Sequence, residues 1–309
     1  IGIVMAVISL SMLPSVIVSF IYDDSSIYIP FLMTMLIAGA IGILLMKLCQ
    51  YRMQHLKVRD GFLIVTLCWL ISAILGAVPF VITDSIPHFA DAFFESCSGF
   101  STTGSTVLAE PELLPKGILF WRSFTHWIGG MGILIFAIAL MPSLGISGQN
   151  IAVSEPPGPS LDKVSPKMSD TAKTLYIIYL LFTIIETIML MLGGMSLYDS
   201  LITSFGSVGT GGLSNYSDSI GHFDSTYIRM VITAFMFLCG VNFNLYFLSL
   251  KHGLKTFTRD SEFKLYVFVF AAASLFIFAA LLISGQYDEV LPAFSDSVFQ
   301  VSSILTTTG

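Results

Sequence analysis

The sequence predicts an all-α polytopic membrane protein built from repeated units of helix, re-entrant loop and helix. Three observations carry that reading. Of 309 residues, 55% are hydrophobic and only 11% charged, against about 45–50% and about 25% in soluble domains. The apolar residues fall in long blocks near 1–22, 28–48, 61–83, 118–142, 171–194, 226–250 and 263–285, each near the roughly 20 residues that cross the hydrocarbon. Finally, one pattern occurs three times: an Asp, a short apolar stretch, and a Thr/Gly-rich loop whose last Gly lies thirteen residues after the Asp.

The copies are Asp91–Gly104 (DAFFESCSGFSTTG), Asp199–Gly212 (DSLITSFGSVGTGG) and Asp296–Gly309 (DSVFQVSSILTTTG). Their apolar pieces at 91–101, 199–208 and 296–305 are too short to span and read as re-entrant half-helices. Irregular backbone at membrane depth is tolerated only where protein or a water-filled cavity satisfies it, so the loops imply a cavity.

Taken in order, residues 1–60 form an accessory helical pair ending in a basic stretch, KLCQYRMQHLKVRD. A first pore unit covers 61–145, a linker rich in Pro covers 146–169, and a second unit covers 170–255. A third unit, 256–309, has its loop and no returning helix. Three units with one unfinished do not close a ring, which implies that a fourth is absent from this chain. The first residue is Ile1 and no charged segment precedes the first apolar block, so the expectation is no cleavable signal peptide and a start inside a longer protein.

Lys and Arg set the orientation. Lys47, Arg52, Lys57, Arg59, Lys163, Lys167, Lys173, Lys251, Lys255, Arg259 and Lys264 share one side, and only Lys116, Arg122 and Arg229 the other. The first side is cytoplasmic by the positive-inside rule. The opposite loops carry many carboxylates, among them Asp84, Asp91, Glu110, Asp199, Asp218 and Asp296. They either raise the local cation concentration or simply solvate the outer loops.

Each Asp is expected to cap a half-helix at the outer rim, its charge favoured at the positive helix end. The helix C-terminus, with its unpaired carbonyls, then points toward the membrane centre, where a cation sheds water. The candidate ion-binding residues are those that follow: Thr102, Thr103 and Gly104; Thr210, Gly211 and Gly212; Thr307, Thr308 and Gly309. Gly lets the backbone approach an axis and turn carbonyl oxygens inward. Hard oxygen ligands suit an alkali cation. The Gly-rich stretch GSVGTGGLS lies between spans, follows no strand and lacks the Lys-Ser/Thr of a phosphate loop, so it is no nucleotide cradle.

Other polar residues have quieter readings. Glu186, inside an apolar span, is a helix–helix hydrogen-bonding group or an ion site. Glu95, in the first re-entrant helix, braces the first loop from behind or ligates the ion. Arg122 and His126 anchor a helix at the interface or serve a proton or gating role. Gly129, Gly130 and Gly132 permit close packing or a bend. Asn242 and Asn244 face the cavity or a neighbouring helix. Cys49, Cys68, Cys97 and Cys239 have no metal-like spacing and read as buried small side chains. Asn215-Tyr216-Ser217 matches a glycosylation sequon. No HExxH or paired-Asp motif lies within the spans, which leaves an intramembrane enzyme poorly supported.

The stretches FFESCSGFSTTGST, WRSFTHWIGGMGI (121–133), SEPPGPSLDKVSPKMSDTAK and SVGTGGLS resemble the Trk/Ktr/HKT superfamily of potassium transporters, in particular the bacterial Trk-type membrane subunit. The resemblance covers most of the chain. It implies four pore units around a pseudo-fourfold axis, a filter made by four loops, potassium as the substrate with no cofactor, and a homodimer in the lipid of a bacterial cytoplasmic membrane. It also implies a cytoplasmic nucleotide-binding regulatory ring as partner, and no nucleic acid. Gly at the key position of each loop goes with potassium in this family and Ser in the first loop with sodium permeability; Gly104, Gly212 and Gly309 match the potassium pattern. The fourth loop and the intramembrane gating loop fall beyond Gly309. A proton- or sodium-coupled symporter using the same pore is the alternative.

Overall fold

The computed structural model describes residues 1–22, 24–48, 58–132, 168–285, 287 and 289–309. Linker residues 146–167, most of the basic stretch after Lys47 and residues 133–142 of the block 118–142 fall outside these residues. Among the described residues every regular element is helical, and five helical stretches, with Gly2–Ile21 taken as one, are long and apolar enough to cross a membrane. The chain divides into two compact units, 1–173 and 174–309.

The first unit holds α1 (Gly2–Ser11), α2 (Leu13–Ile21), α3 (Ser25–Leu48), α4 (Val58–Ile82), α5 (Phe89–Phe100) and α6 (Lys116–Gly130). The first apolar block is thus two helices, restarted at Leu13 with Pro in the first turn, where its missing N–H costs nothing. α1 packs on α3 through small residues: a Cβ on Gly42 would meet the Gly2 carbonyl oxygen, and one on Gly39 the Ser9 hydroxyl. Ser9 donates to the Met35 carbonyl at 2.5 Å. The core gathers Ile8, Met12, Phe31, Phe80, Phe100 and Trp121. Trp121 meets Phe31 and Phe100 edge-on, with centroids 6.1 and 6.3 Å away, and its indole N–H donates to the Gly76 carbonyl of α4 at 3.0 Å. α5 therefore sits between α4 and α6.

The second unit holds most of α7 (Met168–Leu192), then α8 (Leu197–Val208), α9 (Thr226–Cys239), α10 (Phe243–His252), α11 (Lys255–Arg259), α12 (Ser261–Ser284) and α13 (Val290–Leu305). Asp260 caps α12 by accepting from Phe263 N at 2.7 Å, and Gly285 ends it in the left-handed region at φ 66°.

The block 226–250 is broken. α9 and α10 meet at 79°, with Gly240 closing α9 and the Asn242 side chain capping α10 by accepting from Asn244 N. Carbonyls freed at the bend find hydroxyls: Tyr246 donates to Leu238 O at 2.7 Å and Tyr266 to Phe237 O at 3.0 Å. Interrupted helices in apolar surroundings persist only with such replacements. Asn242 is thus a cap, and Asn244 is buried behind it.

Candidate functional site

Three short helices, α5, α8 and α13, end on Phe100, Val208 and Leu305, each nine residues after its Asp. The backbone beyond them folds back in one register. The next amide, of Ser101, Gly209 or Thr306, donates to Cys97 O, Phe205 O or Ser302 O at 2.9–3.1 Å. The amides of Thr102, Thr210 and Thr307 donate to Gly99 O, Ser207 O and Ile304 O, all at 3.1 Å. One or two residues further on, Thr103 N reaches Ser98 O, Gly211 N and Gly212 N reach Gly206 O, and Gly309 N reaches Ser303 O. The acceptors Ser98, Gly206 and Ser303 hold the same position in the three copies.

The dihedrals repeat as well. Thr102, Thr210 and Thr307 have φ of 55°, 53° and 58°, and Gly104, Gly212 and Gly309 have φ of 76°, 74° and 75°. Positive φ in a β-branched residue is a genuine outlier that costs about 1–3 kcal/mol. It persists in all three loops because the surrounding hydrogen bonds over-determine it. Strain of this kind collects at functional sites.

The Asp residues are not the caps expected of them. His88 precedes α5 and Ser196 caps α8, placing Asp91 and Asp199 in first turns; Asp296 lies in the interior of α13, which starts at Val290. Apolar residues ahead of each Asp extend the helix outward. Ser196 and Asp199 form a reciprocal capping pair, with Asp199 N donating to Ser196 Oγ and the hydroxyl donating to the carboxylate at 2.7 Å.

Each loop has its own support. In the first, Glu95 of α5 is buried and accepts from Arg122 Nε at 2.5 Å, Thr106 Oγ1 at 2.8 Å and Val107 N at 3.0 Å. The acid holds both the returning limb and α6, which is bracing from behind. Arg122 and His126 are buried, at 2% and 0% exposure, so neither is an interface anchor; a pairing partner 27 residues away draws Arg122 inward. A Cβ on Gly129 would fall on the Phe100 carbonyl oxygen and one on Gly99 on Thr125 Oγ1, which fixes how closely α6 rides on α5.

In the second, Asp199 accepts from Tyr216 OH at 3.3 Å and Asn215 Nδ2 at 3.5 Å, tying the start of α8 to the returning limb. Asn215 is buried, which takes the sequon out of reach of modification. Glu186 of α7 is fully buried and meets Ser207 at 2.6 Å. In the third, Asp296 accepts from Arg229 Nη1 and Tyr287 OH, each at 2.7 Å, so α13 is tied to α9.

The second and third loops touch backbone to backbone, since a Cβ on Gly212 would fall on the Thr308 carbonyl oxygen. Beside them lies a cavity of about 540 Å³ bordered by Ser207, Gly212, Thr308 and Gly309, with Asp218, Arg229 and Asp296 also lining it. The first loop belongs to the other unit.

Burial and the Asp199 carboxylate push the Tyr216 hydroxyl up, and hydrogen bonding to Asp296, before burial, does the same for Tyr287. A raised folded value means the neutral phenol is favoured on folding. That contribution is complete below the ordinary value of about 10 and is lost as pH rises through the raised ones. Thermal melts of Tyr216→Phe and Tyr287→Phe are therefore expected to lose part of the alkaline destabilisation seen in the parent.

The family described as TrkH, cation transport protein, matches residues 29–309. The chain belongs to this family. It is 38% identical over 315 residues to the Trk system potassium uptake protein TrkH of Vibrio parahaemolyticus, covering 100% of this chain and 64% of that one. With TrkH of Escherichia coli K12 it shares 37% over 313 residues, again 100% and 64%, and with TrkG of the same strain 34% over 304 residues, 97% and 62%. The crystal structure of the potassium transporter TrkH from Vibrio parahaemolyticus superposes with a TM-score of 0.84 at 35% identity, over 98% of this chain and 62% of that one. The chain thus spans just under two thirds of the length of these relatives, and the all-α membrane fold is theirs. The family's description, cation transport protein, lends the intramembrane enzyme reading no support.

Proposed function

We propose that this chain supplies three of the four loops of a potassium-uptake pore. In this reading potassium loses its water to backbone carbonyls around Thr102, Thr103, Gly104, Thr210, Gly211, Gly212, Thr307, Thr308 and Gly309. The observation that carries it is the triple repeat of one strained backbone: Thr at φ 53–58°, then Gly at φ 74–76°, two residues apart. Carbonyls at fixed spacing can replace a hydration shell, and fixed spacing requires that the same dihedrals recur in every loop. The helix C-termini add partial negative charge behind the ion. No covalent step takes place. The relatives are named as potassium uptake proteins, which supports potassium as the cargo. A homodimer in the bacterial cytoplasmic membrane, with a Trk-type nucleotide-binding ring beneath it, completes the proposal.

The first test is rubidium and sodium flux into proteoliposomes carrying the complete parent chain. Rubidium flux well above sodium is expected. Gly104→Ser puts a side chain at φ 76°, a conformation costing roughly 1–2 kcal/mol, so the rubidium-to-sodium ratio should fall on the order of tenfold. An unchanged ratio would remove Gly104 from the filter. Net uptake driven by a proton gradient alone would replace the passive pore with a coupled symporter.

A further inference from the structure

Behind the second loop lies a carboxyl group that the pore reading leaves unused. Glu186 is 0% exposed in the middle of α7, a helix apolar enough to span a membrane. Its Oε1 is 2.6 Å from Ser207 Oγ, and among the described residues its Oε2 has no hydrogen-bond partner. One residue on, Thr187 donates to Ser204 Oγ at 3.1 Å. α7 therefore grips the last two turns of α8 through adjacent polar contacts.

Counting protons decides the state of the acid. Ser207 Oγ is also 2.9 Å from the Thr203 carbonyl oxygen, so one hydroxyl proton faces two good acceptors. If Glu186 were ionised, Ser207 would have to choose between them, and the carboxylate would be left with one hydrogen bond and a bare oxygen. No described Lys or Arg forms an ion pair with it, and an unpaired buried charge is costly. If Glu186 carries a proton on Oε1, it donates to Ser207, Ser207 donates to Thr203, and the remaining oxygen is an ordinary neutral carbonyl. The other titratable groups around it are Tyr179 on α7 and Cys239 at the end of α9, and neither can supply a positive charge to pair with a carboxylate. Glu95 makes the contrast: it faces Arg122 and is an ion pair.

We propose that Glu186 is the positioning residue of the second loop, a neutral carboxylic acid that hydrogen-bonds Ser207 and so fixes the last turn of α8. The consequence reaches the pathway in one step. Ser207 O accepts from Thr210 N, and Gly206 O accepts from both Gly211 N and Gly212 N. The residue whose side chain Glu186 holds thus carries one of the two carbonyls on which the second loop hangs, and its neighbour Gly206 carries the other. This rests on the proposal that the loop lines the ion path.

The experiment uses the complete parent chain in proteoliposomes, read as the rubidium-to-sodium flux ratio. Glu186→Gln keeps the shape and a neutral donor and is expected to stay within about twofold of the parent. Glu186→Leu and Ser207→Ala each remove the bond and are expected to lower the ratio on the order of tenfold, and the double variant no further. Infrared spectra of parent minus Glu186→Gln at neutral pH should show loss of a protonated-carboxyl band, a readout that survives if Glu186→Leu does not fold. A lost carboxylate band, a Gln variant as unselective as Leu, or a monodisperse Leu variant with unchanged selectivity would each overturn the proposal. Gly212→Ser in parallel separates the two readings: if it too leaves the ratio unchanged, the filter assignment has failed, whereas if it alone moves the ratio, only the role of Glu186 has.

Discussion

Replacing Arg122 with Met is expected to destabilise the protein by about 3–5 kcal/mol, the range for removing one partner of a buried ion pair. Glu95 is 1% exposed and meets Arg122 Nε at 2.5 Å; without the guanidinium its charge is stranded in an apolar interior. The same carboxylate holds Thr106 and Val107 N of the returning limb, so the loss should reach the first loop as well as the fold. Both thermal stability and rubidium flux should drop in Arg122→Met. Glu95→Gln in the Arg122→Met background removes the stranded charge while keeping an acceptor for the limb, and should recover most of the stability. If the double variant melts no higher than the single one, the cost lies in lost packing around Arg122 and not in the uncompensated charge.

The pair also shows what a sequence can and cannot disclose about this molecule. The thirteen-residue spacing from Asp to Gly was legible, and the three helices do end in one register. So were the apolar blocks, because hydrophobicity is a local property. The link between Glu95 and Arg122 was not: it joins two elements across 27 residues, and a lone Arg at the start of an apolar helix carries the same local signal whether it faces headgroups or a buried acid. Asp is a good cap, so the sequence alone points to a helix start at each, but the apolar residues preceding them continue the helices outward, most of all from Val290 to Asp296. Nor could propensity reveal the left-handed threonines, since a β-branched residue argues against that conformation. The break at Gly240–Asn242 did leave a trace, a Gly followed two residues later by a capping Asn, masked by the hydropathy of the whole block.

Gly212 carries the other large effect. Two separate penalties meet there, which is why Gly212→Ala is expected to cut rubidium flux on the order of a hundredfold, equivalent to about 2.7 kcal/mol. The first is conformational: at φ 74° a Cβ costs roughly 1–2 kcal/mol. The second is contact, because that Cβ would fall on the Thr308 carbonyl oxygen. The oxygen cannot retreat cheaply, since the next amide, Gly309 N, is held by Ser303 O at 3.2 Å, and Thr308 Oγ1 is paired with Thr306 Oγ1 at 2.8 Å. Moving it shifts one of the oxygens assigned to the ion. Gly194→Ala is the matching control, with φ 95° and nothing within 4 Å of the new Cβ. It meets the dihedral penalty alone, so its melting temperature should fall while its flux stays near the parent. Equal flux losses in the two variants would mean that strain anywhere in the second unit closes the pathway; a loss confined to Gly212→Ala would mean that contact between the second and third loops sets the spacing of the ion's ligands.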